Sequence, residues 1–271
     1  MQPAPSPINW FFALAEGCPG FDLYGDMIKV AVYTASRHTS LQPHFLYDGG
    51  ENQLTHWLRD RGVPIIPCRT FLDREIASLR GGKNEASIHS TARGILLRIE
   101  LAQLGLRLGL GERVLYTDCD VFFRGEVTPE LSAINCTYFA VGPESNRDDY
   151  FNMNTGVMWM NLPMLRTVDA AFRDFVRQNI ARLPAMAWDQ GAYREFFSSG
   201  DQTFRWEKLQ PELNWKPYWG DSAEARIIHF HGPKPFQQPY IDSHFPELKY
   251  LTGGSYNELC QQWQSLLAEV K

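Results

Sequence analysis

Two aspartates one residue apart, Asp118 and Asp120, end an apolar run in the stretch "VLYTDCDVFF" (114–123). Carboxylates held that close repel, and a buried charge without a partner is expensive, so such a pair persists with a cation, a shared proton or abundant solvent. A divalent metal is the strongest of these solutions. Hard oxygen ligands suit magnesium or manganese, which keep positions open for phosphate oxygens, and an added imidazole favours manganese. Turn acids closing a strand are the plainer reading of the same two residues.

Other stretches carry residue types that fit such chemistry. In "IIHFHGPKPF" (227–236), strand alternation sends Ile228 and Phe230 to one face and His229 and His231 to the other, and Gly232 frees the backbone for a loop holding Lys234. A histidine and a lysine leaving a buried strand together suggest metal and phosphate; a satisfied core histidine is the simpler alternative. "FNMNTGVMWMNL" (151–162) sets Asn154, Thr155 and Gly156 before an apolar strand, as a polar turn or as a loop bonding sugar hydroxyls. "WDQGAYREFF" (188–197) has Asp189 at a helix N-cap position, where capping alone explains it, whereas Gln190 needs another reason. "ELNWKPYWG" (212–220) reads as core or as an acceptor platform.

These residues need elements to place them. A strand is expected in the apolar run at 8–15, a second in "IKVAVYTAS" (28–36), a short helix in 52–62 and a further buried run in "VPIIPC" (63–68). Next comes a long helix near "ASIHSTARGILLRIELAQLGLRLG", with Ile88, Ala92, Ile95, Ile99, Ala102 and Leu106 as its buried stripe and Arg93 and Arg98 off it. "RVLYTD" then runs out into the two acids, at the carboxyl end of a strand, where open α/β sheets bind ligands. Strands are expected in 137–142, 156–162 and 225–232, and a helix over 169–183 with Phe172, Val176 and Leu183 on its stripe. Alternating strands and helices predict an α/β fold with a mainly parallel sheet and a mixed-sheet extension on the acceptor side.

With 271 residues and 44% apolar content, the chain can form one continuous domain with a first half at 1–125, a second half at 126–250 and a C-terminal helix at 255–271. A net charge of −5 without clustered Lys and Arg argues against a nucleic-acid partner. Five scattered cysteines form no CxxC pair and read as reduced thiols of a cytoplasmic protein. The opening apolar run is too short for a signal peptide or membrane span, and the tail reads as a packing helix rather than a membrane anchor.

In this order, a strand ending in D-x-D, N-x-G before a strand, D-Q, an N-W-x-P stretch and H-x-x-G with K-P resemble the family 8 glycosyltransferases, retaining enzymes of the GT-A type. The resemblance runs from about Arg98 to Phe236. It implies a metal, Mn2+ or Mg2+, on Asp118, Asp120 and His229, bridging the phosphates of a nucleotide diphosphate sugar. UDP-glucose or UDP-galactose is that family's usual donor. It also implies that the first half, 1–125, binds nucleotide and that the second, 126–250, is the acceptor side. Gly232 and Lys234 would meet the diphosphate, Arg98 would lie near donor phosphates and sugar, Asn154, Asp189 and Gln190 match positions that hold the transferred sugar, and Thr155 and Gly156 beside Asn154 are expected among the substrate-binding residues. The acceptor would be a hydroxyl of a glycan, a lipid-linked sugar, a polyol or a protein. Front-face attack with departing phosphate oxygen as base is implied, with Asp189 or Gln190 as opposite-face partner in the other scheme. The chain departs from that pattern in two places: Pro233 alone separates Gly232 from Lys234, with Phe236 in place of a Trp, and "FFALAEGCPGF" lacks the usual base-cradling opening.

Two other readings compete. A relative that binds glycan or nucleotide without turnover would keep the same ligands. "DCDVF" also loosely fits a haloacid-dehalogenase-type magnesium phosphatase, which needs a later acidic metal motif; Asp221 in "WGDSAEA" is the available candidate.

Overall fold

The computed structural model describes residues 7–79, 85–199, 203–244 and 253–271. Its first apolar run forms β1 (Asn9–Ala15), buried along almost its whole length, and β1 is the strand on which the parallel half of the sheet is built. The stretch at 28–36, expected as a strand, lies instead within helix α1 (Phe21–His38). The helix is buried on two sides. Ile28, Ala31, Val32 and Ala35 enter the core under the main sheet, while Met27 and Val30 enter a separate cluster shared with the C-terminal helix. An apolar run covered on both faces loses the polar stripe that marks a helix, which is why it resembles a buried strand.

The second strand is β2 (Gln42–Asp48), followed by α2 (Gln53–Asp60), capped by Asn52, whose side chain accepts from Thr55 N at 3.0 Å. Next come β3 (Ile65–Pro67) and the short helix α3 (Asp73–Ser78). The expected long helix is broken into α4 (Glu85–Leu96), one 3-10 turn (Leu97–Glu100) and α5 (Leu101–Leu108). A 3-10 turn winds three residues per turn rather than 3.6, so the buried face changes phase across it. Ala92, Ile99 and Ala102 stay buried as expected, but Leu106 is 66% exposed and Leu104 takes its place in the core. Arg98, off the expected stripe, is turned inward and fully enclosed.

β4 (Arg113–Thr117) leads through Asp118, Cys119 and Asp120 into β5 (Val121–Phe123), and α6 (Thr128–Ala133) follows. β6 (Phe139–Pro143) and β7 (Met153–Asn161) form an antiparallel pair. α7 (Leu162–Gln178) starts seven residues earlier than 169, where Asn161 caps it through Met164 N, and it stops before Ile180 and Leu183. The chain continues through α8 (Asp189–Phe196), β8 (Glu207–Lys208), β9 (Ile227–His229), α9 (Gln238–His244) and α10 (Ser255–Val270).

The seven-stranded sheet has the order β3-β2-β1-β4-β7-β6-β8. The first four strands are mutually parallel, β7 runs antiparallel to both β4 and β6, and β8 is parallel to β6. β5 and β9 make a separate antiparallel ladder. The five cysteines are free thiols, and no helix among the described residues is long and apolar enough to cross a membrane.

Candidate metal and donor site

Two strand pairings and one isolated bridge beyond the carboxyl end of β4 assemble the site. Thr117 pairs with Val157 across the β4–β7 ladder, and Asp118 N donates to Gly156 O at 2.8 Å, so the "NTG" stretch lies beside the first aspartate. In the small ladder Val121 pairs with His229, and Phe230 N donates to Asp120 O at 2.9 Å, so the second aspartate lies beside the histidine. Trp215 bridges to Ile228, bringing Asn214 behind His229. Register alone therefore brings residues of four distant stretches into one cluster.

One ligand atom each of Asp118, Asp120 and His229 lies within 4.8 Å of the others. His229 is 1% exposed, and its Nδ1 is 2.9 Å from Asn214 Oδ1. Asn214 uses its amide nitrogen to donate to Asn154 Oδ1 at 3.1 Å, so its oxygen is the acceptor and His229 Nδ1 carries the proton. Nε2 is left with a lone pair directed at Asp120 Oδ1, 3.3 Å away, and at Asp118 Oδ2, 3.9 Å away. Burial pushes the His229 imidazole below its ordinary pKa, against the pull of Asp120, and so favours the neutral, ligating form. Asp120 Oδ1 is buried without a hydrogen-bond partner. An orphaned carboxylate oxygen facing an imidazole lone pair is repulsive by itself and favourable around a cation. These three side chains therefore fit a divalent metal with mixed oxygen and nitrogen ligands.

The carboxylates are held by cations on their outer sides. Burial opposes the charge on Asp120, but the Lys234 ammonium, 2.5 Å from Oδ2, holds its carboxyl well below the usual range. Burial pushes Asp118 and Asp189 up, against the pull of Arg98. Arg98 is the hub. Nη2 donates to Asp118 Oδ1 at 2.6 Å, Nη1 to Thr155 O at 2.5 Å, Nε lies 3.1 Å from Asp189 Oδ2, and the guanidinium sits 4.4 Å from the centre of the Tyr116 ring. Burial works against its charge, and the two carboxylates more than restore it.

The expected N-cap role of Asp189 is not what the structure contains. Asp189 is the first residue of α8, and the cap position is Trp188, which has no side-chain cap bond. The carboxylate of Asp189 instead accepts from Thr155 Oγ1 at 3.0 Å and pairs with Arg98. Trp188 and Ala187 both have positive φ, 56° and 59°, an unfavourable backbone for non-glycine residues that aims the head of α8 into the cleft.

Gly156 has a steric role: a Cβ there would lie 2.0 Å from His229 Cε1. Asn154 is 2% exposed, and its oxygen accepts from both Asn214 and Gly156 N, while its amide donates to Gln190 Oε1 at 3.0 Å. Gly232 sits at φ +92°, the backbone freedom expected of the loop before Lys234. The aromatic stretch at 212–220 is chiefly core: Trp215 is buried and Lys216 completely so. Asp221 pairs with Arg124 on the surface and is not part of the Asp118–Asp120–His229 cluster, and no second acidic metal cluster occurs among the described residues.

Arg98, Asp118, Asp120, Asn154, Asp189, Gln190 and Lys234 line one cleft of about 500 Å³, within the range of small-molecule sites. Asn214 and Glu144 are site residues that inspection of the sequence missed. Asn214 stood in a stretch whose aromatic content masked it, and Glu144 has no motif. Substituting Asn214 by Ala should free the His229 ring and lower metal affinity by about 10–100-fold, the usual cost of losing a partner behind a ligating histidine. A manganese titration followed by thermal unfolding checks this, and unchanged affinity would exclude the orienting role.

The sheet and its flanking helices match the GT-A glycosyltransferase fold. The chain is similar in structure to the galactosyltransferase LgtC, solved with donor and acceptor sugar analogues, at a TM-score of 0.64 and 16% identity, covering 97% of this chain and 96% of that one. It is similar also to the glycosyltransferase GlyE of Streptococcus pneumoniae TIGR4, at a TM-score of 0.62 and 17% identity over 97% of this chain; it spans only 63% of the GlyE chain. Mouse xyloside xylosyltransferase 1 matches at a TM-score of 0.51 and 11% identity, covering 82% of this chain and 97% of that one. No protein-family model and no curated protein sequence matches the chain.

Proposed function

We propose that the protein is a metal-dependent retaining glycosyltransferase that moves a hexose from a nucleoside diphosphate sugar to a hydroxyl acceptor. The observation that carries this reading is the convergence of the orphaned Asp120 oxygen, Asp118 and the lone pair of His229 at the carboxyl end of β4, beside Arg98 and Lys234. Asp118, Asp120 and His229 would hold Mn2+ or Mg2+, which supplies charge neutralisation to the departing diphosphate. Lys234 stands next to that position as a second positive charge, and Gly232 lets its loop approach phosphate oxygens closely.

Asp189 and Gln190 are already engaged: the first with Arg98 and Thr155, the second with Asn154 and with the Glu144 carboxylate. A carboxylate tied to an internal guanidinium is a weak nucleophile. This supports front-face attack, with Asp189 and Gln190 holding the transferred sugar and the departing phosphate oxygen taking the acceptor's proton. UDP-glucose or UDP-galactose is the donor this reading proposes.

Thermal unfolding with uridine, guanosine, adenosine and cytidine diphosphates, each with and without manganese, tests the reading. A ligand at a hundred times its Kd stabilises by about 2.7 kcal/mol, and each kcal/mol moves the midpoint of a large domain by roughly 2–4 °C. One nucleoside diphosphate is expected to give that shift only with metal. No shift with any would overturn the donor site.

A further inference from the structure

Behind the metal site runs a row of buried side-chain amides whose orientations are fixed by the backbone. Thr155 N donates to Gln190 Oε1 at 3.4 Å, and Gly156 N donates to Asn154 Oδ1 at 3.1 Å. A backbone N–H can only donate, so both amide oxygens are placed, and their nitrogens with them. Asn154 Nδ2 therefore donates to Gln190 Oε1, 3.0 Å away. Asn214, 3.1 Å from Asn154 Oδ1, must present its nitrogen there, which turns its own oxygen to His229 Nδ1 at 2.9 Å. At the other end the Gln190 nitrogen donates to the carboxylate of Glu144.

Every donor in this row points the same way, from His229 through Asn214, Asn154 and Gln190 to Glu144. The imidazole and the three amides are buried. Hydrogen bonds aligned head to tail polarise one another, and most strongly where water is excluded. The row ends on a carboxylate: hydrogen bonds, from His231 most and then from Gln190, hold the Glu144 carboxyl below its ordinary range, against its partial burial. The backbone that carries Glu144 is pinned. Lys216 Nζ donates to Pro143 O at 2.7 Å, Tyr218 Oη to Glu144 O at 2.7 Å and Trp219 Nε1 to Ser145 O at 2.6 Å, three successive carbonyls. The stretch "ELNWKPYWG" thus supplies one member of the row, Asn214, and holds the far end of it in place.

We propose that Glu144 is a positioning residue for the metal: through Gln190, Asn154 and Asn214 it draws on the Nδ1–H of His229 and strengthens the Nε2 lone pair that faces Asp118 and Asp120. It acts through three amides rather than by contact. The inference rests on the metal assignment of the transferase reading and extends it to a residue on the opposite side of the amide row.

The test uses the full chain without nucleotide. Free Mn2+ is followed by electron paramagnetic resonance as the unaltered protein and its variants are titrated, with cooperative thermal unfolding reporting each fold. Glu144→Leu should weaken Mn2+ binding by about tenfold, the lower end for a group supporting a ligating histidine. Glu144→Gln keeps an acceptor oxygen for Gln190 but loses the charge, and should weaken binding by about threefold; it carries the test if Glu144→Leu does not fold. Combined with Asn214→Ala, either change should cost less than about twofold, because the row is already cut. In the metal-free protein a low-field imidazole proton, absent in His229→Ala, should move upfield in both Glu144 variants as the His229 hydrogen bond weakens. Unchanged Mn2+ affinity in the Glu144 variants overturns the inference, as does an unmoved imidazole proton. An equal loss with and without Asn214→Ala overturns it too, since Glu144 would then be a charge acting through space. Failure of the unaltered protein to bind Mn2+ would sink the metal assignment, and this inference with it. Binding that His229→Ala abolishes and the Glu144 variants leave intact would keep that assignment and sink the inference alone.

Discussion

His229→Ala is expected to remove metal-dependent turnover while leaving a cooperatively folded protein. The imidazole supplies the one nitrogen ligand of the cluster, and its Nδ1 side is fixed by Asn214. Without it, the buried Asp120 oxygen and Asp118 face each other with no third ligand. Donor hydrolysis with manganese should fall by at least about 10²–10³-fold, the range seen when one preorganised electrostatic group is removed. The fold should lose less, since Asn214 Oδ1 becomes an unpaired buried acceptor, costing about 1–3 kcal/mol. Asp120→Ala should abolish turnover similarly, because it removes the orphaned oxygen and leaves Lys234 without its carboxylate. Release of nucleoside diphosphate from a sugar donor, measured across a manganese titration, reads both variants. Metal-dependent turnover within tenfold of the unaltered protein in either would sink the metal assignment.

Arg98→Met should be the most destabilising single change in the cleft. The guanidinium is 2% exposed and spans Asp118 and Asp189, the latter also enclosed. Methionine fills much of the volume but leaves Asp189 as an uncompensated buried charge, a loss of about 3–5 kcal/mol. The deficit should depend on pH. Burial already raises the carboxyl of Asp189 above its unfolded value, and removing Arg98 raises it further. A carboxyl raised on folding favours the folded state below its unfolded pKa, and that advantage is lost as pH rises through the folded pKa. The variant's deficit should therefore be largest at neutral pH and shrink toward the ordinary carboxylate range, roughly pH 4. Urea unfolding at several pH values measures this. A deficit under about 1 kcal/mol at neutral pH, or one that grows on acidification, would show that Arg98 does not neutralise these acids.

Some of this was legible in the chain and some was not, for identifiable reasons. The strand that runs out into Asp118 and Asp120 was plain because an apolar run meeting two acids is a local signal. The alternation in "IIHFHG" correctly parted Ile228 and Phe230, which enter one core cluster, from His229, which points at the acids. Helix α1 was misread because its apolar residues serve two clusters at once, and periodicity reports only how many sides of an element are dry. The break at Leu97–Glu100 was invisible because no Pro or Gly marks it. That break turns Arg98 inward.

By itself, the sequence determined the ligand types, their order along the chain and the strand end at which they would gather. A D-x-D, a histidine beside a glycine loop and a D-Q pair are statements about side-chain chemistry, which survives any arrangement of the backbone. Tertiary structure alone decided which atoms meet. Arg98 reaches Thr155 across 57 residues, and Lys234 reaches Asp120 across 114. Those meetings depend on the register of β4 against β7 and of β5 against β9. A shift of one residue in either ladder would turn each ligand to the opposite face.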